Sequence, residues 1–226
     1  MKKILFLLLL AFSFTTTFAQ TDVTKFLGFP VDGTKSEMIK NLESKGFELK
    51  TFDDNEFLSG RFNGKDVEVF ISTENGKVSR ILVCDENTMN ESDIKIRFNK
   101  LCQQFKDNGK YLALKDYTIP DSENISQQMV IYNKRYEAVF YQLPEGEAME
   151  QLQAAILLQV QSKYSPEQLE NLTDEIKNEI YSDTFDALVD SIKNKPVWFM
   201  ISGHMGKYYI SMFYDNELNR AHGEDL

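Results

Sequence analysis

Apolar and polar residues alternate over 57–62, 65–73 and 78–84, and again over 197–202 and 207–214. A period of two predicts β-strands with one buried face. Asn63-Gly64 separates the first two runs, and Glu74-Asn75-Gly76-Lys77 joins the second to the third. Asn-Gly between such runs is the strongest short hairpin signal, and a two-residue loop fixes register. The first hairpin then pairs Arg61 with Asp66 and Leu58 with Val69. The second pairs Val69 with Leu82 and Val67 with Cys84. One face therefore collects Leu58, Val67, Val69, Ile71, Leu82 and Cys84; the other carries Ser59, Arg61, Asp66, Glu68 and a few apolar residues.

Elsewhere the period lengthens to that of a helix. Thr34 with Glu37 forms a capping box ahead of Met38, Ile39 and Leu42, and Gly46 ends that helix. Ile94, Phe98, Leu101, Cys102 and Phe105 make one stripe over 91–106. After a turn-rich stretch at 111–126, residues 128–132 and 137–143 read as two more strands. Met149, Leu152, Ile156, Val160 and Tyr164 mark a further helix. Ser165-Pro166 starts the next, and Phe185, Leu188, Val189 and Ile192 end the helical region. In the last hairpin a four-residue loop would set Ser202 opposite Lys207. That puts Val197, Phe199, Ile201, Tyr208, Ile210 and Met212 on one face, and Trp198, Met200, Tyr209, Ser211 and Phe213 on the other. Two readings follow. Either helices over 166–193 bury the aromatic face, or Trp198, Met200, Tyr209 and Phe213 are exposed anchors for a partner.

The pattern predicts an α+β fold of antiparallel sheets, meanders and hairpins, flanked by helices. Two small lobes are expected, at 20–110 and 127–216, joined by a linker or loop at 111–126 and followed by a polar tail at 217–226. The first residues add a compartment. Lys2 and Lys3, an apolar run over 4–12 and Thr17-Phe18-Ala19 have the layout of a signal peptide cleaved near Ala19. The run is too short to span a bilayer, and no later segment is long enough. The mature chain is thus expected outside the cytoplasm, periplasmic or secreted, with no membrane span.

Charge narrows the partners. The chain has 35 acidic and 25 basic residues, and loss of Lys2 and Lys3 takes its formal charge from −10 to −12. Such a protein repels nucleic acid and anionic lipid. Candidate chemistry is sparse. Cys84 and Cys102 are the two cysteines. They can meet as a disulfide between sheet and helix or stay as buried thiols. His204 and His222 show no ligand spacing to them, so no metal site is assigned. Ser202 near His204 lacks a nucleophile-elbow motif. Asp183 with Asp186, and Glu145 with Glu147, are acid pairs of the kind a glycosidase needs, on helix surfaces or in loops. Asp121 to Asn124 lacks the calcium-loop pattern. No catalytic residue and no cofactor is assigned.

Phe26 to Thr34 (FLGFPVDGT), the capped helix behind it, and Gly206-Lys207-Tyr208-Tyr209 with Phe213 to Asn216 resemble a family of uncharacterised secreted proteins from Gram-negative gut bacteria. The resemblance implies export and carries no activity. A short helix followed by an antiparallel meander is also similar in architecture to β-lactamase-inhibitor proteins and to the small lipoprotein of the outer-membrane barrel-assembly machinery, both non-catalytic binders. The expected function is an exported binding or envelope-associated protein acting by surface recognition, on an envelope protein or a glycan. The alternative is a small exported hydrolase that uses carboxylates.

Overall fold

In the computed structural model, which describes residues 22–53 and 55–220, the helix announced by the capping box forms as expected. Thr34 Oγ1 accepts from the Glu37 amide at 3.3 Å, and the Glu37 carboxylate accepts from the Thr34 amide at 3.0 Å. Helix α1 (Lys35–Glu43) buries Met38 and Leu42. Ahead of it, β1 (Lys25–Phe26) and β2 (Phe29–Pro30) form a small hairpin. The expected signal peptide lies outside the described residues, as does the tail from 221.

The fold is α+β. Four strands follow α1: β3 (Glu48–Phe52), β4 (Asn55–Phe62), β5 (Lys65–Glu74) and β6 (Lys77–Asp85). Helix α2 (Glu91–Asp107) then precedes β7 (Tyr111–Leu112), helix α3 (Ile125–Tyr132) and β8 (Glu137–Gln142). Helices α4 (Glu147–Lys163), α5 (Pro166–Glu170) and α6 (Asp174–Ile192) intervene before β9 (Pro196–His204) and β10 (Lys207–Asp215). Strands β3 to β10 make one eight-stranded sheet in the order β3-β4-β5-β6-β10-β9-β8-β7, with every neighbour antiparallel. The order is mirrored about the β6–β10 ladder: each half is a helix followed by a four-strand meander. Residues on either side of the expected linker meet at that ladder, and Ile119 within 111–126 is buried in the shared core.

Helices α1 and α2 cover one face of the sheet. That face carries Leu58, Val67, Val69, Ile81 and Val83 from one half. Ala138, Phe140, Val197, Phe199, Ile201, Tyr208, Ile210, Met212 and Tyr214 come from the other. The stripe on α2 packs onto it, with Phe98 and Phe105 ringed around Phe199 at 5.0 and 5.7 Å. Arg97 of α2, itself buried, forms an ion pair with the buried Asp85 of β6 at 3.1 Å.

Three readings of the sequence need correction. Residues 128–132 are the end of helix α3, not a strand. The Asn124 side chain caps it by accepting from the Gln127 amide at 2.8 Å, and Asn133 stops it in the left-handed region at φ 50°. The apolar Val130, Ile131 and Tyr132 are exposed there rather than paired in the sheet. The last hairpin turns at Met205-Gly206, so Ser202 lies opposite Tyr209 and not Lys207. That shift is by two and leaves every side chain on its predicted face. The third error has the larger consequence. Near the Asn75-Gly76 turn Thr73 pairs with Val78 as the two-residue loop demands, but a bulge between Ser72 and Thr73 moves the ladder by one. Val69 then pairs with Val83 and Val67 with Asp85. An odd shift turns the strand over. Val83 therefore faces the core, and Leu82 and Cys84 face the other way.

The cysteines follow from this. Cys102 is buried on α2 on the covered face, Cys84 lies partly exposed on the opposite face, and both are free thiols. Cys84 Sγ donates weakly to Ser211 Oγ at 3.9 Å. Burial raises the Cys84 thiol above its ordinary pKa and pushes Cys102 up to about 12. Since the thiolate is the reactive form, native protein at pH 8 should leave Cys102 unmodified by a thiol reagent for hours and titrate two thiols promptly in denaturant. Fast reaction of Cys102 without denaturant, or no free thiol after unfolding in the absence of reductant, would contradict the arrangement.

Candidate functional site

The face turned away from α1 and α2 carries a continuous apolar row. Strand register sets Phe70 opposite Leu82, Leu82 opposite Phe213, Phe213 opposite Trp198 and Trp198 opposite Val139. Phe57 of β4 extends the row beyond Phe70, with the two rings stacked at 5.7 Å. Six strands thus contribute one apolar side chain each, over about 24 Å at a strand spacing of ~4.8 Å. All six residues are partly exposed. Polar positions flank the row. On one side lie Ser59, Glu68, Cys84, Ser211 and Glu137, on the other Ser72, Arg80 and Asp215. An apolar strip with a polar rim is the anatomy of a recognition surface.

The centre of the row is held rigidly. Trp198 and Phe213 stack at 3.9 Å with 9° between their planes. Arg80 lies over both rings, 5.0 Å from Phe213 and 5.8 Å from Trp198. Asp215, whose side chain is 1% exposed, accepts from Arg80 Nε at 2.5 Å, from Arg80 Nη2 at 2.8 Å and from Trp198 Nε1 at 2.8 Å. The hydrogen bond to Asp215 raises the Arg80 pKa above its ordinary value, so the guanidinium keeps its charge. A stacked pair fixed in this way loses little side-chain entropy when it meets a partner.

Of the residues expected in a patch, Trp198 and Phe213 are at its centre. Met200 lies one row away, opposite Ser211, and Arg135 Nη2 approaches its sulfur at 3.8 Å. Tyr209 lies further along the same face, opposite Ser202. The aromatic reading missed Phe57, Phe70, Leu82 and Val139. Alternation alone puts Phe57 and Phe70 opposite Leu58 and Val69, so those two were within reach; Leu82 was hidden by the bulge.

Helices α4 and α6 pack chiefly on each other. Helix α4 contains no buried residue, α6 buries only Ile192, and Leu157, Leu158, Tyr181 and Phe185 are exposed. The pair is inserted between adjacent strands β8 and β9. The acids weighed for hydrolysis are scattered: Asp183 pairs with Lys163 at 2.9 Å and Glu145 with Lys110 at 2.9 Å, while Glu147 accepts from Gln151 at 3.1 Å. Ser202 Oγ bonds Ser211 Oγ at 2.8 Å. The carbonyls of Asp121 and Glu123 accept from Lys95 Nζ. The His204 side chain and His222 lie outside the described residues. Among the described residues no three His, Cys, Asp or Glu side chains gather as a metal site would require, and no helix is long and apolar enough to cross a membrane.

On the covered side a cleft of about 700 Å³ opens between the β1–β2 turn, the end of α2 and the β8–β9 end of the sheet. Phe62, Phe105 and Tyr111 line it, with Lys25, Lys110 and Lys195 and the acids Asp22, Asp107 and Glu145. Lys195, 1% exposed, forms an ion pair with Asp22. Searches against protein-family models, curated proteins and solved structures find no match to this chain.

Proposed function

We propose that this chain is an exported, non-catalytic binding module that recognises a partner protein of the envelope through the open face of its sheet. The observation that carries the reading is the row Phe57, Phe70, Leu82, Phe213, Trp198 and Val139, one residue from each of six consecutive strands. A buried-core explanation would need an element packed over it, yet all six remain partly exposed. Stability alone is served by the covered face, where the core residues gather. Buried aromatic anchors within a polar rim are where protein interfaces concentrate their energy.

The test uses the full chain in its native exporting cell. A photo-crosslinking amino acid is placed at Phe70 or Val139 in the row, and at Lys100 on the outer side of α2 as a control. The expected result is one discrete adduct from the row positions, absent from the Lys100 position and lost in the Trp198→Asp/Phe213→Asp double variant. Absence of a discrete adduct from the row, or the same adduct from Lys100, would sink the proposal.

A further inference from the structure

The cleft on the covered side is separate from the open face and has its own chemistry. Its two walls are tied to each other. The Gln142 carboxamide accepts from the Lys25 amide and donates to the Lys25 carbonyl, both at 2.7 Å. Asn63 Nδ2 donates to Gln104 Oε1 at 2.9 Å across the other end. The shape is thus built in advance of any ligand. Its size of about 700 Å³ lies in the range of small-molecule sites, roughly 300–1,000 Å³.

The lining then selects a class. Three lysines are matched by three acids, and Lys195 with Asp22 and Lys110 with Glu145 are paired already. A ligand with net charge would meet no surplus of either sign. Paired ions and carboxamides in the lining offer donors and acceptors side by side, which suits groups that both donate and accept. Part of the lining is aromatic: Phe105, set edge-on to Tyr111 at 4.6 Å, and Phe62. An uncharged molecule with hydroxyls around its edge and an apolar face across its ring matches both surfaces. We propose that this cleft binds a neutral saccharide of one or two rings.

The experiment is ligand-observed saturation-transfer NMR on the full mature chain. The probes are glucose, galactose, mannose, N-acetylglucosamine, maltose, cellobiose and lactose, with glucosamine and glucuronate as charged controls. At least one neutral sugar should bind saturably with a Kd of about 1 mM or tighter, the range of −4 kcal/mol or better. Binding should weaken at least about tenfold in Leu143→Trp, which fills the cleft, and in Gln142→Ala, which unties its walls. It should be unchanged in Trp198→Ala on the open face. Circular dichroism confirms that each variant is folded. If Leu143→Trp does not fold, Lys110→Met at the exposed mouth replaces it. The proposal is overturned if no neutral sugar binds, if binding survives the cleft variants, if it is lost in Trp198→Ala, or if a charged control binds about tenfold tighter than its neutral counterpart.

Discussion

Asp215→Ala should cost about 3 kcal/mol of stability, close to the lower end for breaking a buried ion pair by removing one partner. The carboxylate is 1% exposed and holds both the Arg80 guanidinium and the Trp198 indole. Its removal leaves a charge and an N–H without an acceptor in a place built for them. The cost stays near 3 rather than 5 because the Arg80 side chain is 28% exposed and can recruit water. For a domain of this size the midpoint should fall by roughly 6–12 °C. Trp198 is the only tryptophan, so its emission reports the site directly and should shift to the red as the stack loosens. Replacing both ions, Arg80→Leu with Asp215→Leu, should recover part of the loss, since it removes the unpaired charge and leaves only the Trp198 N–H without its acceptor. An unchanged midpoint in Asp215→Ala would show that the clamp does not hold the aromatic pair.

Local signals in the chain were sufficient where one element decides its own geometry. The capping box at Thr34, the Asn63-Gly64 turn and the apolar stripe of α2 are each complete within a dozen residues, and each formed. The last hairpin shows why a wrong turn can be harmless: Met205-Gly206 shortens the loop and moves the register by two, so Trp198 and Phe213 keep their face. The bulge at Ser72–Thr73 shows the opposite. Neither residue announces it, the register moves by one, and Leu82 and Cys84 change sides. The separation of the two cysteines and the absence of Leu82 from the expected patch share that single cause. Helix α3 was hidden differently. Met129-Val130-Ile131-Tyr132 has the composition of a strand, and the competing signals were two asparagines, Asn124 as cap and Asn133 as a left-handed stop. The row itself needs six strands in register, two sets of three joined only through β6–β10 pairing across more than a hundred residues. No local window contains it. The cleft likewise draws on residues from 22 to 214.

Phe199→Ala should be more damaging still, at about 4 kcal/mol, within the 3–5 kcal/mol typical of removing a buried phenylalanine. Phe199 is fully buried on β9, opposite Ala138 on one side and Met212 on the other. The small neighbour leaves room for its ring, which meets Phe98 at 5.0 Å, Phe105 at 5.7 Å and Phe140 at 6.0 Å. Rings packed on one another cannot flow into a vacated volume, so the cavity persists and the cost stays high. The expected fall in midpoint is roughly 8–16 °C. The shape of the transition carries further information. The core contains residues of both halves, from Phe26 to Tyr214, and β6 is hydrogen-bonded directly to β10. Damage at Phe199 should therefore lower one cooperative transition and leave its denaturant slope unchanged. Two transitions, with the one belonging to β3–β6 unmoved, would mean that the mirrored halves are energetically separate despite their shared sheet. A partner spread along the six-strand row would then have to hold the halves together itself. A single transition means that the row is already one rigid surface before anything binds.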